Sequence, residues 1–154
     1  MSARAEVTLD EIDKRIIGQL QEDGRRPYTQ IAPAVGLSEA AVRQRVQRLV
    51  DAGVIQIVGV TDPKMIGFGR QAMIGLTVEG DTRTVADELS AMHEAVYVVL
   101  TAGSFDILVE VVVKDDEELL DLLNHKIRAI DGVRHTQTFM YLRIHKETYA
   151  WGTP

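Results

Sequence analysis

Apolar positions in the first third of the chain recur at helical intervals. Leu9, Ile12, Ile16, Ile17 and Leu20 mark one face of a first helix. Thr8 and Glu11 stand at capping-box spacing at its start, and Val7 and Ile12 have the spacing of a hydrophobic staple. Gly24 is the expected stop. A short second helix follows over Tyr28–Val35, with Ile31, Ala32 and Val35 inward. Pro33 falls just past its first turn and predicts a kink or a short helix, because proline removes a backbone donor and crowds the preceding turn. Gly36 supplies a tight turn, and Ser38 opens a third helix as N-cap, with Leu37 and Val42 at staple spacing. Val42, Val46, Leu49 and Gly53 fall on one side of this helix. Ala40, Ala41, Gln44, Gln47 and Arg48 fall on the other, with Arg43 and Arg45 on the flanks.

Residues 54–60 alternate loosely and read as a strand, a wing or a linker, ending at Asp62-Pro63. Gly67 and Gly69 then break the chain. From Arg70 the pattern is strand, helix, strand, strand, helix, strand. The strands are expected near 73–78, 96–101, 107–113 and 136–144, the helices near 82–92 and 116–129. Asp115 and Glu118 have capping-box spacing. Ala86, Leu89 and Met92 mark the inner face of one helix; Leu119, Leu122, Leu123, Ile127 and Ile130 mark that of the other. A turn at Gly103 makes the middle strands a hairpin. Two strand-helix-strand units fused in this way give a ferredoxin-like βαββαβ arrangement. The fold class is therefore α+β. The expected divisions are 1–53, a linker strand over 54–67, a second domain over 68–148 and a tail over 149–154.

Two helices cover only one face of such a sheet. The other face, with Val98, Leu108, Met140 and Leu142 as candidates, needs a cover, and a second copy of the chain is the economical one. A homodimer or a larger self-assembly is expected.

Charge sharpens the picture. The net charge of −6 argues against DNA until it is divided along the chain. Residues 1–53 hold 8 Lys/Arg and 8 Asp/Glu, so the rest of the chain supplies the whole deficit. Between residues 25 and 50, Arg25, Arg26, Arg43, Arg45 and Arg48 face a single acid, Glu39. A local positive patch can meet phosphates while the acidic remainder limits nonspecific binding.

Helix, helix, glycine turn, helix is the spacing of a helix-turn-helix, which makes double-stranded DNA the expected partner. Small residues near the start of the third helix let it sit deep in the major groove. Gln pairs bidentately with adenine, and Arg with guanine or a phosphate. The candidate DNA contacts are Ser38, Ala40, Arg43, Gln44, Arg45, Gln47 and Arg48. The plain alternative is a three-helix bundle with a solvated basic face; the coincidence of turn, cap and amide/Arg face favours DNA.

Other classes fare worse. The chain has no cysteine, so disulfides, thiolate metal sites and cysteine nucleophiles are excluded. No G-x-S-x-G or phosphate-loop pattern is present, and the acidic run at 115–118 suits a helix dipole better than catalysis. His93, His125, His135 and His145 lack tight ligand spacing, so neither a metal nor a cofactor is expected. No apolar run reaches the roughly 20 residues of a membrane helix, and no apolar signal core opens the chain. A cytoplasmic location without a membrane partner is the expectation.

The chain closely resembles the leucine-responsive regulatory protein/AsnC (Lrp/AsnC) family of transcription regulators over nearly its whole length. The resemblance is carried by Leu9-Asp10 through Ile16-Ile17, by Asp23-Gly24-Arg25 and by Val35-Gly36-Leu37-Ser38. It continues through Val42-Arg43-Gln44-Arg45-Val46-Gln47-Arg48-Leu49, Ala52-Gly53-Val54-Ile55 and Asp62-Pro63. Downstream it includes Thr101-Ala102-Gly103-Ser104-Phe105-Asp106 and Gly132-Val133 with Thr136 and Thr138. The resemblance implies a winged helix-turn-helix joined to a ferredoxin-like effector domain of the RAM/ACT-like kind. It implies dimers assembled into tetramers or octamers, and an amino acid or related metabolite bound where dimers meet. It implies a transcriptional regulator of amino-acid metabolism; a nucleoid-type architectural protein without an effector is the alternative. The family's effector hairpin maps to Thr101, Gly103, Ser104, Phe105 and Asp106, and its terminal-strand contacts map near Thr136 and Thr138.

The chemistry of that hairpin can also be read from its residues. A zwitterion needs an acid for its ammonium, which Asp106 could supply, and N–H donors for its carboxylate, which a glycine at 103 lets approach closely. Alternatively, Gly103 only makes the turn and Asp106 only caps it. Two features depart from the family pattern. Pro33 replaces a helix-compatible residue, and the tail from Tyr149 lies outside the common pattern, leaving Trp151 to pack on a neighbouring subunit or to be disordered.

Overall fold

The first helix, α1 (Glu11–Glu22), takes Asp10 as its N-cap. The Asp13 N–H donates to Asp10 Oδ1 at 2.7 Å, and the Asp10 N–H donates back to Asp13 Oδ2 at 3.2 Å. This reciprocal box replaces the expected pairing of Thr8 with Glu11; Val7, half of the expected staple, lies outside the residues that this computed structural model describes, 8–153. A carboxylate three residues before another satisfies the same orphan donors and adds favourable charge at the helix start. The helix ends at Glu22 on an extended Asp23, not on Gly24.

The second helix, α2 (Tyr28–Val35), has the predicted bounds and contains Pro33. It is short, and it runs two residues past the proline before Gly36 stops it. Gly36 caps it in the left-handed region at φ 76°, where a side chain would be strained, and the N–H groups of Gly36 and Leu37 return to the Ala32 carbonyl. The third helix, α3 (Glu39–Asp51), begins on Ser38, whose Oγ accepts the Ala41 N–H at 3.3 Å. Ile16, Leu20, Ile31, Ala32, Val35, Val42 and Val46 bury together, with Leu37, Ile12 and Tyr28 at the margin. Gly53 is not part of this face; it follows the helix at φ 67°.

Residues 54–60 form no strand. A strand needs a partner for its backbone groups, and among the described residues this segment pairs with none, so neither a wing nor a linker strand is present. Asp62 instead caps a 3-10 turn over Pro63–Ile66, accepting the Lys64 N–H at 2.9 Å.

The second unit contains β1 (Arg70–Val78), α4 (Thr82–Ser90), β2 (Ala95–Leu100), β3 (Ile107–Val113), α5 (Asp116–Asp121) and β4 (Val133–Met140). The order β2-β3-β1-β4, antiparallel throughout, is the expected ferredoxin-like sheet. β4 starts earlier and ends earlier than the sequence predicts. α5 continues as a π-helical stretch, Leu122–Ile127. The Asp115 cap forms, accepting the Glu118 N–H at 2.9 Å, but Glu118 turns to the Lys114 N–H instead of closing the box. Ala72, Ile74 and Leu76 of β1 and Ile107, Val109 and Val111 of β3 bury against Leu119, Leu122, Ile127 and Ile130. Val85 and Leu89 complete the α4 side; Val85 is more buried than the predicted Ala86 and Met92.

Pairing register decides which residues face away from the helices. Val98 lies opposite Val109 and packs into the core, so it is not on the open face. Met140 lies opposite core-facing Ala72 and is likewise on the helix side. Leu142 lies beyond the strand, 91% exposed. Only Leu108 of the predicted four is on the open face, joined there by Met73, Tyr97, Val99 and Phe139. Strand alternation was right; the phase of two strands was not, since one residue of slip exchanges the faces.

One unit holds the chain to Val60 and again from Lys146, and the other is Thr61–His145. The tail therefore groups with the helical unit. Trp151 within it is 83% exposed.

Candidate DNA-reading helix and effector hairpin

The reading face is built by packing. Val42, Val46 and Leu49 anchor α3, so the residues at intervening positions point outward. Ser38, Ala40, Arg43, Gln44, Gln47 and Arg48 are all exposed. Ala40, Arg43, Gln44, Gln47 and Arg48 line one shallow concavity with Asp51 and Ala52. It runs from the small side chain of Ala40 to the amides and guanidiniums of Gln44, Gln47 and Arg48.

Arg45 is the exception among the seven predicted contacts. Its Nη1 donates to Asp10 Oδ2 at 2.6 Å and to Asp13 Oδ1 at 2.8 Å, across from α3 to the start of α1. These hydrogen bonds, Asp10 first, hold its pKa above the ordinary arginine value. The Asp10 carboxyl is in turn held below the usual carboxylate range, first by the Asp13 backbone N–H and then by Arg45.

The other cations on α3 are also paired. Arg48 Nη2 donates to Asp13 Oδ2 at 2.5 Å. Arg43 donates to Glu39 at 2.7 Å, and its guanidinium lies 5.2 Å from the centre of the Tyr28 ring. Gln47 donates to Asp51 Oδ1 at 2.7 Å. The local positive patch counted from residues 25–50 is therefore smaller in three dimensions, because α1 brings in two carboxylates.

Asp13 is the residue that sequence reasoning missed. It is fully buried. A signal existed: Asp13, Ile16, Ile17 and Leu20 are at helical intervals, so an acid occupies the buried stripe. Glu94, just before β2, is the other buried acid. It is 4% exposed and accepts from Lys126 Nζ at 2.5 Å. Burial pushes its carboxyl up, but Lys126 and the backbone more than reverse this, leaving it lowered.

The predicted effector hairpin is a six-residue loop from Thr101 to Asp106. It is tied internally by the Thr101 N–H to the Asp106 carbonyl at 2.9 Å and by Thr101 Oγ1 to the Phe105 carbonyl at 2.5 Å. Asp106 extends the ladder just before the start of β3: its N–H donates to the Leu76 carbonyl, and its Oδ2 accepts the Val78 N–H at 2.8 Å. Gly103 and Ser104 are exposed. The backbone at Gly103 does not have positive φ, and a Cβ there would meet open space, so the turn itself does not require glycine.

Phe105 and Phe139 meet edge to face, with ring centres 6.1 Å apart, on the open side of the sheet. Thr136 and Thr138 lie opposite Leu76 and Ile74 on the helix side, where Thr136 Oγ1 accepts from Arg128 Nε at 3.1 Å. One chain therefore does not bring these threonines and the hairpin to the same face. Among the described residues, no group of three His, Asp or Glu is placed to hold a metal, and no helix is long and apolar enough to cross a membrane.

Comparison with known proteins agrees with this geometry. Residues 9–50 match the AsnC-type helix-turn-helix domain, and residues 71–151 match the Lrp/AsnC ligand binding domain. The second match runs through Trp151, so the first half of the tail, 149–151, falls within the family pattern. The HTH-type transcriptional regulator FL11 of Pyrococcus horikoshii is 39% identical over 92% of this chain and 95% of its own. The leucine response regulatory protein of Mycobacterium tuberculosis superposes with a TM-score of 0.82 at 29% identity, covering 90% of this chain and 96% of that one. A transcriptional regulator of Neisseria meningitidis, solved as an L-Met complex, shares the fold with a TM-score of 0.82 at 24% identity, over 96% and 97% of the two chains. With a DNA-binding helix-turn-helix and a ligand-binding domain both matched, this chain belongs to the Lrp/AsnC family of transcriptional regulators.

Proposed function

We propose that this protein reads specific DNA sites through Ala40, Arg43, Gln44, Gln47 and Arg48 and regulates genes of amino-acid metabolism in response to an amino acid. The observation that carries the DNA half is the exposed amide/Arg face of α3, aligned by the Gly36 turn and the Ser38 cap. The effector half is supported by the ligand-binding domain match and by the L-Met complex of the Neisseria relative. The hairpin at 101–106 is the proposed effector contact, with Asp106 receiving the ammonium; its Oδ2 already holds Val78, which leaves Oδ1 for a ligand. Thr136 and Thr138 join the site only if a second copy supplies a different face.

A second copy is the proposed cover for the open sheet face. Tyr97 is 53% and Phe139 44% exposed there, and apolar exposure of this kind marks an interaction surface. Pairing would also place two reading helices on two half-sites.

The second reading is an architectural DNA protein without an effector, favoured by the structural role of the Asp106 carboxylate at Val78. A thermal-shift panel of the amino acids separates the two. A ligand of the folded state raises the apparent melting temperature by mass action. A rise with one or a few amino acids, lost in Asp106→Ala, supports the effector reading; no rise with any overturns it in favour of the architectural one.

A further inference from the structure

Two arginines from successive turns of α3 converge on one buried carboxylate. Asp13 Oδ1 receives Arg45, and Asp13 Oδ2 receives Arg48 and the Asp10 N–H. The Asp13 side chain is 1% exposed, against 27% for Arg45 and 49% for Arg48. The three residues differ accordingly in what they can do. Arg45 is also held by Asp10 and ties α1 to α3. Arg48 reaches Asp13 through one terminal nitrogen, while half of its side chain stays in the solvent-facing concavity beside Gln44 and Gln47.

We infer that Asp13 is a specificity-determining positioning residue: it fixes the Arg48 guanidinium on the reading face, so that its remaining donors meet a base edge in one orientation. This rests on the proposed reading of DNA by α3. The physical reason is the geometry of guanidinium recognition. An arginine reads guanine through two parallel N–H bonds, which need a fixed plane, whereas a phosphate accepts the charge in almost any orientation. An exposed arginine without a fixed partner has many rotamers and would be a phosphate contact. A buried carboxylate whose own position is set by the α1 cap removes that freedom before DNA arrives. Arg43 has no buried carboxylate behind it; its partners are the exposed Glu39 and the Tyr28 ring, which fix its fork less firmly than Asp13 fixes that of Arg48.

The test compares specific and nonspecific binding. A duplex enriched from a randomised pool by the wild-type protein serves as the specific probe, and a shuffled duplex of equal length as the nonspecific one. Asp13→Asn is expected to lower the affinity ratio of the two about tenfold, the scale of one good base contact, with nonspecific affinity and its salt slope retained. Arg48→Lys, which keeps charge but not the fork, is expected to lower the ratio similarly. The double variant should lose no more than either alone. Where Asp13→Asn does not fold, Arg48→Lys decides, because Arg45 still joins α1 to α3: an unchanged ratio overturns the proposal. Equal loss of specific and nonspecific affinity, or additive losses in the double variant, also overturns it and leaves Asp13 as a strut. If the wild type binds neither duplex, or binds both equally, the proposed reading of specific DNA sites itself falls; if the wild type discriminates and the variants discriminate as well as it does, only the role of Asp13 falls.

Discussion

The ring of Phe105 lies directly on Gly75. A Cβ at position 75 would fall 2.7–2.8 Å from three ring carbons, closer than real contacts allow. Gly75 sits in the middle of β1, where glycine ordinarily weakens a strand by giving up side-chain packing and backbone entropy. Here its lack of a side chain lets the hairpin fold flat over the open face and bring Phe105 against Phe139.

Gly75→Ala should therefore destabilise the protein by about 1–3 kcal/mol, the usual cost of overpacking. Thermal or urea unfolding measures it. In a Phe105→Ala background the added methyl meets space, so the cost should shrink or change sign. An equal cost in both backgrounds would show that the ring is not the cause.

Gln44 projects from α3 into the concavity without a structural partner among the described residues. Gln44→Ala should leave unfolding within about 0.5 kcal/mol of wild type, as surface changes do. It should weaken the selected duplex by about 1–3 kcal/mol, with less effect on a shuffled one. Ser38→Ala is the converse control, since loss of the cap should cost about 0.5–2 kcal/mol of stability. Fluorescence anisotropy and urea titration on the same samples separate the two effects.

Acid stability follows from three lowered carboxyls. Asp10 is lowered by the Asp13 backbone N–H and Arg45, and Asp116 by Arg70. Glu94 is lowered by Lys126 and the backbone against the opposing effect of burial. A folded value below the ordinary 3.8 or 4.5 means that the folded chain binds fewer protons than the unfolded one. The stabilisation is present in full above the ordinary values and is lost as pH falls through the folded ones. Melting temperature should change little from neutrality to about pH 5 and then fall toward about pH 3, with a shallower fall in Asp10→Asn. A rise on acidification would contradict the assignment.

The open sheet face gives a prediction about assembly. Tyr97→Asp or Leu108→Glu places a charge among Met73, Val99 and Phe139. If a second copy covers this face, light scattering after size exclusion should show a smaller assembly, because an unpaired buried charge opposes association by several kcal/mol. An unchanged mass in both variants places the interface elsewhere.

Legibility in the sequence tracked locality. The bounds of α2, the Ser38 cap, β3 and the inward residues of α5 follow from spacing and from residues a few positions apart. The Thr8–Glu11 box failed because Asp10 and Asp13 offer a competing pair in the same window, and the winner also gains Arg45 and Arg48 from elsewhere in the chain. Val98 and Met140 were placed on the wrong face because strand periodicity gives alternation, while its phase is set by the pairing partner. The strand at 54–60 failed because a residue pattern does not supply a pairing partner, and among the described residues none lies beside it.

The sequence by itself determined that α3 presents Ala40, Gln44, Gln47 and Arg48 to solvent, since helical spacing and an apolar opposite face leave no other arrangement. Tertiary structure decided what its cations do. It brought Asp10 and Asp13, more than thirty residues away, under Arg45 and Arg48, making one arginine a tie between helices and leaving the other half free. The same holds at the hairpin, where only folding sets Phe105 on Gly75 and Asp106 on Val78. Periodicity is carried by neighbours along the chain, but a side chain's partner is chosen by where packing places charges and rings, and that depends on every element at once.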